Sequence, residues 1–148
     1  MTTTRQNELT RLRGEVARLN LQGRDAVLAL SLDELDAAYN GCGPESLPDA
    51  ARQALDRITA VFTPAIMVHD VDFTYADGLK AAFDAANTRL FVNCAICALD
   101  AAPWNSWKRY ALLGEAWTIY RACDKFGWAA WLSAYNQNQT RLCIASRG

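Results

Sequence analysis

The sequence predicts a mainly α-helical fold. Over most of the 148 residues, apolar positions recur at intervals of three and four, and few stretches alternate as β-strands do. Glycine and proline are concentrated at a few breaks between these stretches. The hydrophobic fraction of 51% and the charged fraction of 21% are ordinary for a globular chain long enough to bury a core. One helical domain is therefore expected.

The first 22 residues predict an amphipathic helix that ends near Gly23. Two heptads are too few for a stable coiled coil, so we expect this helix to dock on the domain formed by residues 23–148 or on a partner chain. In the second case it would join copies into a homo-oligomer or a larger assembly. Its apolar positions have a 3-4-3 spacing: Leu9, Leu12, Val16 and Leu19.

Further helices are predicted along the rest of the chain. The predicted helix over 107–125 has a stripe of Tyr110, Leu113, Trp117 and Tyr120 and is stopped by Gly127. The expected segments are 25–38, 48–62, 63 to the Asp77-Gly78 break, 79–100, 107–125 and 128–135.

The segment that begins at Pro64 carries the only histidine of the chain. Thr63 can cap this helix and Pro64 suits its first turn. An ionisable pair therefore lies on one helical face between apolar residues, and a buried carboxylate there would need a cation, a metal or hydrogen-bond donors. The residues that share or adjoin this face are Ile66, His69, Asp70 and Phe73.

The glycine-containing turn from Tyr39 to Gly43 is a candidate metal loop. Glycine tolerates the dihedral angles that would point successive carbonyl groups inward. Together with the Asp70 carboxylate, such carbonyls form an oxygen ligand set suited to Ca²⁺. His69 could then act as general base for a water that attacks an ester near the metal. A plain loop between two helices remains the alternative.

The long helix predicted over 79–100 carries both polar and apolar residues on one face. At steps of three, four and three these are Asp84, Asn87, Phe91 and Cys94.

These motifs together resemble the phospholipase A2 family, in particular its viral, disulfide-free members. The family's calcium loop, Y-x-G-x-G, is matched by residues 39–43. Its catalytic helix, H-D-x-x-Y, is matched by residues 69–73 with Phe73 in place of tyrosine. The resemblance covers about residues 39–94. It implies a helical domain with two antiparallel central helices and a glycine-rich metal loop.

The resemblance also implies a site and an activity. Ca²⁺ would be held by the Asp70 carboxylate and by the carbonyls of Tyr39, Gly41 and Gly43. His69 would be the base, and the Gly41 N–H would stabilise the oxyanion together with the metal. The implied reaction is Ca²⁺-dependent hydrolysis of the sn-2 ester of a phospholipid at a membrane surface.

The third expected member of the site is an aspartate that orients the histidine. Here the preferred alignment places Asn87, with Asp84 one turn earlier as the alternative. An amide can accept a hydrogen bond but cannot stabilise imidazolium by charge. A carboxylate beside His69 would favour the enzyme, whereas an amide would favour a non-catalytic structural or interaction protein on the same scaffold, for example in a virus or phage particle.

Other functions are weighed against this one. An HD-type phosphohydrolase needs more metal-binding histidines than this chain has, and a Cys-His hydrolase would pair Cys42 with His69. Trp104 and Trp107, beside Lys108 and Arg109, are interpreted as core residues, with a membrane-interface patch as the alternative.

The five cysteines do not form a disulfide framework. The Cys94-x-x-Cys97 pair lies inside a helical segment without a second such pair, so core thiols are expected rather than a zinc site. The formal charge of −1 argues against nucleic acid as a partner. No secretory signal pattern is present at the N-terminus, so we expect a protein made in the cytoplasm, with packaging into a particle or non-classical export left open.

Overall fold

The computed structural model describes residues 2–39 and 60–145, and this part of the chain is mainly helical, without a strand. None of its helices is both long and apolar enough to span a membrane. A 3₁₀ turn at Ala60–Phe62 precedes the central helix. The helices are α1 (Thr3–Arg18), α2 (Arg24–Ala29), α3 (Leu32–Ala38), α4 (Thr63–Thr74), α5 (Lys80–Ala101), α6 (Trp107–Phe126) and α7 (Trp128–Ala145).

The N-terminal helix α1 docks on its own chain. Leu9, Leu12 and Val16 are fully buried, and the helix packs against α2, α3 and α4. The backbone N–H of Arg5 donates to the Thr2 hydroxyl, which caps the first turn. The apolar stripe that was expected to bind either the domain or a partner chain is thus covered from within.

The predicted helix over 25–38 is two helices, which corrects that expectation. Leu30 adopts an extended conformation and ends α2, and Ser31 then begins α3. Ser31 and Glu34 form a reciprocal capping box, in which each side chain accepts a hydrogen bond from the other residue's backbone N–H. Residues 31–34 have the S-x-x-E pattern of a capping box, which explains why a new helix begins there.

The central helix α4 begins at Thr63, with Pro64 in its first turn. The Thr63 hydroxyl donates to the Ala60 carbonyl over 3.0 Å, so it serves the preceding 3₁₀ turn. The prediction that Thr63 is the N-terminal cap is wrong, because Phe62 occupies that position without a side-chain hydrogen bond.

Helices α4 and α5 are antiparallel neighbours. The Cys97 thiol hydrogen-bonds to the backbone of Ala65, His69 contacts Asn87, and Phe73 packs in a cluster with Phe83. As residue numbers increase along α4, the residues that they contact on α5 decrease in number. This pairing of two long helices forms the centre of the domain, and it brings the histidine of one helix against the polar positions of the other.

Helix α6 packs on α5 through Leu112 and Ala116, which are its buried residues. The predicted stripe was wrong at two of its positions, because Tyr110 is 70% exposed and Trp117 is 51% exposed. Aromatic size does not identify the buried face here, because the small Ala116 allows close approach of α5.

Gly127 separates α6 from α7, as predicted. A Cβ at Gly127 would lie 2.5 Å from the Cys123 carbonyl oxygen, so a larger residue would require a shift of the backbone. Helix α7 runs to Ala145, beyond the predicted end at residue 135. Trp131 of α7 completes a small second core with Phe83, Ala76 and Ala86, next to the main core.

The predicted turn after Tyr39 and most of the predicted helix over 48–62 lie outside the described residues.

Candidate functional site

His69 is buried between α4 and α5, with 8% of its surface exposed. Its Nε2 lies 3.0 Å from Oδ1 of Asn87. An amide oxygen only accepts, so the ring nitrogen Nε2 carries the proton and donates it. Nδ1 then holds the lone pair of the neutral ring, on the opposite edge of the imidazole.

The surroundings of His69 favour the neutral ring. Burial lowers its pKa from the ordinary 6.5 to about 4; the hydrogen bond with Asn87 opposes this shift, and the charge of Arg89 adds to it. The imidazole is therefore uncharged at neutral pH. Its affinity for a proton is also low, which bears on any role as a base.

Asn87, the partner of His69, is only 1% exposed. Its Oδ1 faces the histidine, and its Nδ2 is buried with no hydrogen-bond partner. A buried donor without a partner costs about 1–3 kcal/mol. The preferred alignment of Asn87 with the orienting position of the family thus corresponds to a contact in the structure.

Asp84, the alternative partner, does not reach His69. It lies on the exposed side of α5 and forms an ion pair with Lys80 one turn earlier. The three-residue offset from Asn87 turns it away from α4, so no carboxylate of α5 takes the place of the amide. Asp70, next to His69 in sequence, is half-buried on α4.

An aromatic wall extends from His69 towards α7. The Phe73 ring lies 4.9 Å from the imidazole, and the Trp131 ring stands edge-on at 5.0 Å from Phe73. Phe73 fills the place of the family's tyrosine but brings no hydroxyl to the site. The indole N–H of Trp131 is buried without a partner.

The half-buried ion pair of Asp72 and Arg89 was not foreseen from the sequence. The Arg89 guanidinium donates to one carboxylate oxygen of Asp72, while the other oxygen is buried without a partner. Burial raises the pKa of Asp72 to about 6, and Arg89 opposes this rise. The pair joins α4 to α5 across 17 residues of sequence, a separation that no local spacing rule connects.

The calcium loop fits poorly at the one position that can be tested. The Tyr39 carbonyl accepts a hydrogen bond from the Arg5 guanidinium over 3.0 Å, and that guanidinium also lies 5.1 Å from the Tyr39 ring centre. A fixed positive charge at this distance opposes a divalent cation on the same oxygen. Gly41 and Gly43 lie outside the described residues.

Within residues 2–39 and 60–145, no group of three or more His, Cys, Asp and Glu side chains is placed to hold a metal. Cys94 and Cys97 are buried in the main core, and burial raises the pKa of Cys97 to about 11, which keeps this thiol protonated. Cys42, the proposed partner of a Cys-His hydrolase, is outside the described residues.

Two tryptophans that were interpreted as core residues are on the surface, so that prediction is wrong. Trp104 is 77% exposed and Trp107 is 80% exposed. The turn between α5 and α6, in which they lie, is held instead by Arg109, whose guanidinium donates to the carbonyls of Leu99 and Ala102. These bonds satisfy carbonyls at the end of α5 that the helix leaves open.

No family model matches the chain, and neither the comparison with curated proteins nor that with solved structures finds a match.

Proposed function

We propose that this protein is a non-catalytic structural or interaction protein, built on a helix pair that resembles that of the phospholipases A2. The observation that carries the proposal is the 3.0 Å contact between His69 Nε2 and Asn87 Oδ1. In the family, the residue behind the histidine is a carboxylate, and here it is a neutral amide.

The amide removes the charge that a catalytic histidine needs. When the ring takes a proton, a carboxylate stabilises the resulting imidazolium, whereas an amide oxygen offers only a dipole. In serine proteases, the equivalent replacement costs about 10⁴ in rate. The same loss is expected for a water-activating histidine, because the ring must pass through the same charged state.

Burial weakens the base further. A general base works best when its pKa is near the working pH. The pKa of His69, at about 4, lies well below neutrality. The positive charge of Arg89 acts in the same direction, although Arg89 is itself paired with Asp72 on α4.

The Arg5–Tyr39 contact is a third supporting observation. In the family, the first carbonyl of the loop binds Ca²⁺, but here it accepts from a guanidinium that also bonds Asp36 over 2.7 Å. This arrangement ties α1 to the end of α3. The Tyr39 carbonyl therefore helps to join two helices here, whereas in a phospholipase A2 it would be a metal ligand.

On this proposal, His69 and Asn87 form a polar tie between α4 and α5. A buried hydrogen bond inside an apolar interface fixes the register of two helices, because any other register would leave both groups unpaired. The pair is thus explained by the fold alone.

The second candidate is Ca²⁺-dependent phospholipid hydrolysis, and one observation favours it. The Nε2–H···Oδ1 bond fixes the tautomer that leaves the Nδ1 lone pair available to accept a proton from water. Orientation is therefore preserved even though the orienting charge is missing.

The experiment that separates the two candidates measures fatty-acid release from mixed phospholipid vesicles, with Ca²⁺ and with chelator. The native protein, His69→Ala and Asn87→Asp are compared, each shown to be folded by circular dichroism. We expect no release from the native protein that depends on both Ca²⁺ and His69.

Asn87→Asp sharpens the result, because it restores the family's carboxylate. Release by this variant alone would show a site that lost activity through this one residue, in agreement with the proposal. Ca²⁺-dependent release by the native protein that is lost in His69→Ala would overturn the proposal in favour of the enzyme.

A further inference from the structure

One side of α6 exposes three aromatic side chains around a glycine. The aromatic residues are 80%, 70% and 51% exposed, in chain order. The four residues recur at steps of three, four and three, so they share one helical face, opposite the buried Leu112 and Ala116. We call this set the α6 aromatic face: Trp107, Tyr110, Gly114 and Trp117.

Gly114 is the unusual member of this face. A glycine inside a helix costs about 1 kcal/mol relative to alanine. A Cβ built at Gly114 has no atom of the described chain within 4 Å, so packing inside the molecule does not require glycine there. The absence of a side chain is useful when another backbone approaches closely.

The aromatic side chains beside Gly114 are partly held in place. Trp117 stands edge-on against Phe91 at 5.7 Å and lies 5.4 Å from Tyr120, and the Arg121 guanidinium lies 5.8 Å from its ring. The bonds of Arg109 fix the turn that leads into α6. Side chains that are already ordered lose less entropy when a partner binds.

We propose that two copies of this chain associate through the α6 aromatic face, with their α6 helices antiparallel and crossing at Gly114. The face carries both a ridge of bulky side chains and a gap between them, so two copies can place ridge into gap. Such a surface is self-complementary under a two-fold axis. A lipid surface would deform around the ridge and would gain nothing from the glycine.

One possible contact favours the antiparallel arrangement. Positions 107 and 121 are equidistant from Gly114, so an antiparallel crossing at Gly114 places Trp107 of one copy opposite Arg121 of the other. A cation–π contact is available there.

The exposed aromatic area is of the right order for a weak dimer. With Trp104 at the adjoining turn, the aromatic side chains offer roughly 500 Å² per copy, or about 1,000 Å² in a pair. Specific interfaces begin near this size. We therefore expect a dimer that dissociates on dilution. This inference is independent of the proposed function, because it uses no atom of the His69 site.

Sedimentation equilibrium over a concentration series tests the proposal, with Gly14 as the matched control. Gly14 also lies in the middle of a helix with no described atom within 4 Å of an added Cβ, but it is on the polar side of α1. We expect the native protein to dimerise and Gly114→Gln to weaken the dimer at least about tenfold, a loss of about 1.4 kcal/mol. Gly14→Gln should leave dimerisation unchanged.

Trp107→Ser provides a second variant that is safe for folding, because this side chain is almost fully exposed, and it should also weaken the dimer. A native protein that stays monomeric at every concentration would overturn the proposal, as would equal effects of Gly114→Gln and Gly14→Gln. Circular dichroism verifies that all variants keep their helices. A monomer that binds vesicles of phosphatidylcholine and phosphatidylglycerol, and loses this binding in Trp107→Ser, would assign the face to lipid instead.

Discussion

Two buried asparagines in the middle of α5 are paired very differently. Asn93 is fully buried, its Oδ1 accepts from the Gln22 backbone N–H over 2.8 Å, and its Nδ2 donates to the Gln22 carbonyl over 3.0 Å. Asn87, less than two turns earlier, satisfies only its oxygen, through His69.

The two amides differ in how many of their polar groups are paired, and each unpaired buried group costs free energy. Asn93 has both groups paired and clamps the turn after α1. Asn87 has only its oxygen paired, with His69, so it is expected to contribute less to stability.

The largest expected effect is a pH dependence of stability around Asn87, which appears once Asp72 is replaced. The folded pKa of His69 is lowered to about 4, so the unfolded chain binds the proton more tightly, and stability falls as pH drops from about 6.5 to 4. The folded pKa of Asp72 is raised to about 6, so its contribution has the opposite sign between pH 6 and 4. The native protein should therefore show little net change between pH 6 and 4.

Asp72→Asn removes the opposing contribution. The unfolding free energy of this variant should fall by about 3 kcal/mol between pH 6.5 and 4, measured by urea denaturation. The double variant His69→Gln/Asp72→Asn supplies the baseline for all other groups. A single variant whose pH profile parallels that baseline would show that His69 is not held neutral by burial.

The next largest effect is a rise in the pKa of His69 when a negative charge is placed beside it. Asn87→Asp places a carboxylate against the ring and should raise the pKa of His69 by roughly 2 units, because an opposite charge within hydrogen-bond distance favours imidazolium. Since the chain has one histidine, a single imidazole signal can be followed by NMR titration without assignment. Asp84→Asn is the control and should leave that signal unchanged.

At the fully paired amide, Asn93→Leu should lower the unfolding free energy by about 2 kcal/mol. It removes two hydrogen bonds and leaves the Gln22 backbone groups to find water. Thermal and urea denaturation measure this loss. A cost near zero would mean that the clamp after α1 is not a source of stability.

Asn87→Leu should cost less, about 1 kcal/mol. This variant loses one hydrogen bond, but it also removes the buried Nδ2 that has no partner, and the two effects partly cancel. It is measured beside Asn93→Leu under the same conditions. If Asn87→Leu proved the costlier of the two, the contrast between a satisfied and an unsatisfied amide would be wrong.

Local patterns sufficed for much of the fold. The helical class, the burial of Leu9, Leu12 and Val16, and the breaks at Asp77-Gly78 and Gly127 follow from apolar spacing and backbone chemistry. The same rules failed where they had to choose a face, as on α6, where Tyr110 and Trp117 are outside and Ala116 is inside. Which side of an aromatic-rich helix is buried depends on how closely its neighbour approaches.

The candidate site was likewise predicted in part from the sequence, and the remainder depended on helix packing. Sequence alone placed His69 on a helix, because apolar spacing is a local property. The resemblance to the phospholipases A2 then proposed Asn87 as its partner, with Asp84 as the alternative. These two positions differ by only three residues, so spacing along α5 excluded neither. The direction in which α5 faces α4 made that choice.

By itself, the sequence determined the elements of this protein, because caps, breaks and periodicity act within a few residues of one another. Only the tertiary structure determined the pairings: His69 with an amide, Asp72 with Arg89, the Tyr39 carbonyl with the Arg5 guanidinium. Each pairing joins residues 17 or more positions apart. Contacts over such separations depend on how whole helices pack, and that packing is set by the combined burial of many side chains.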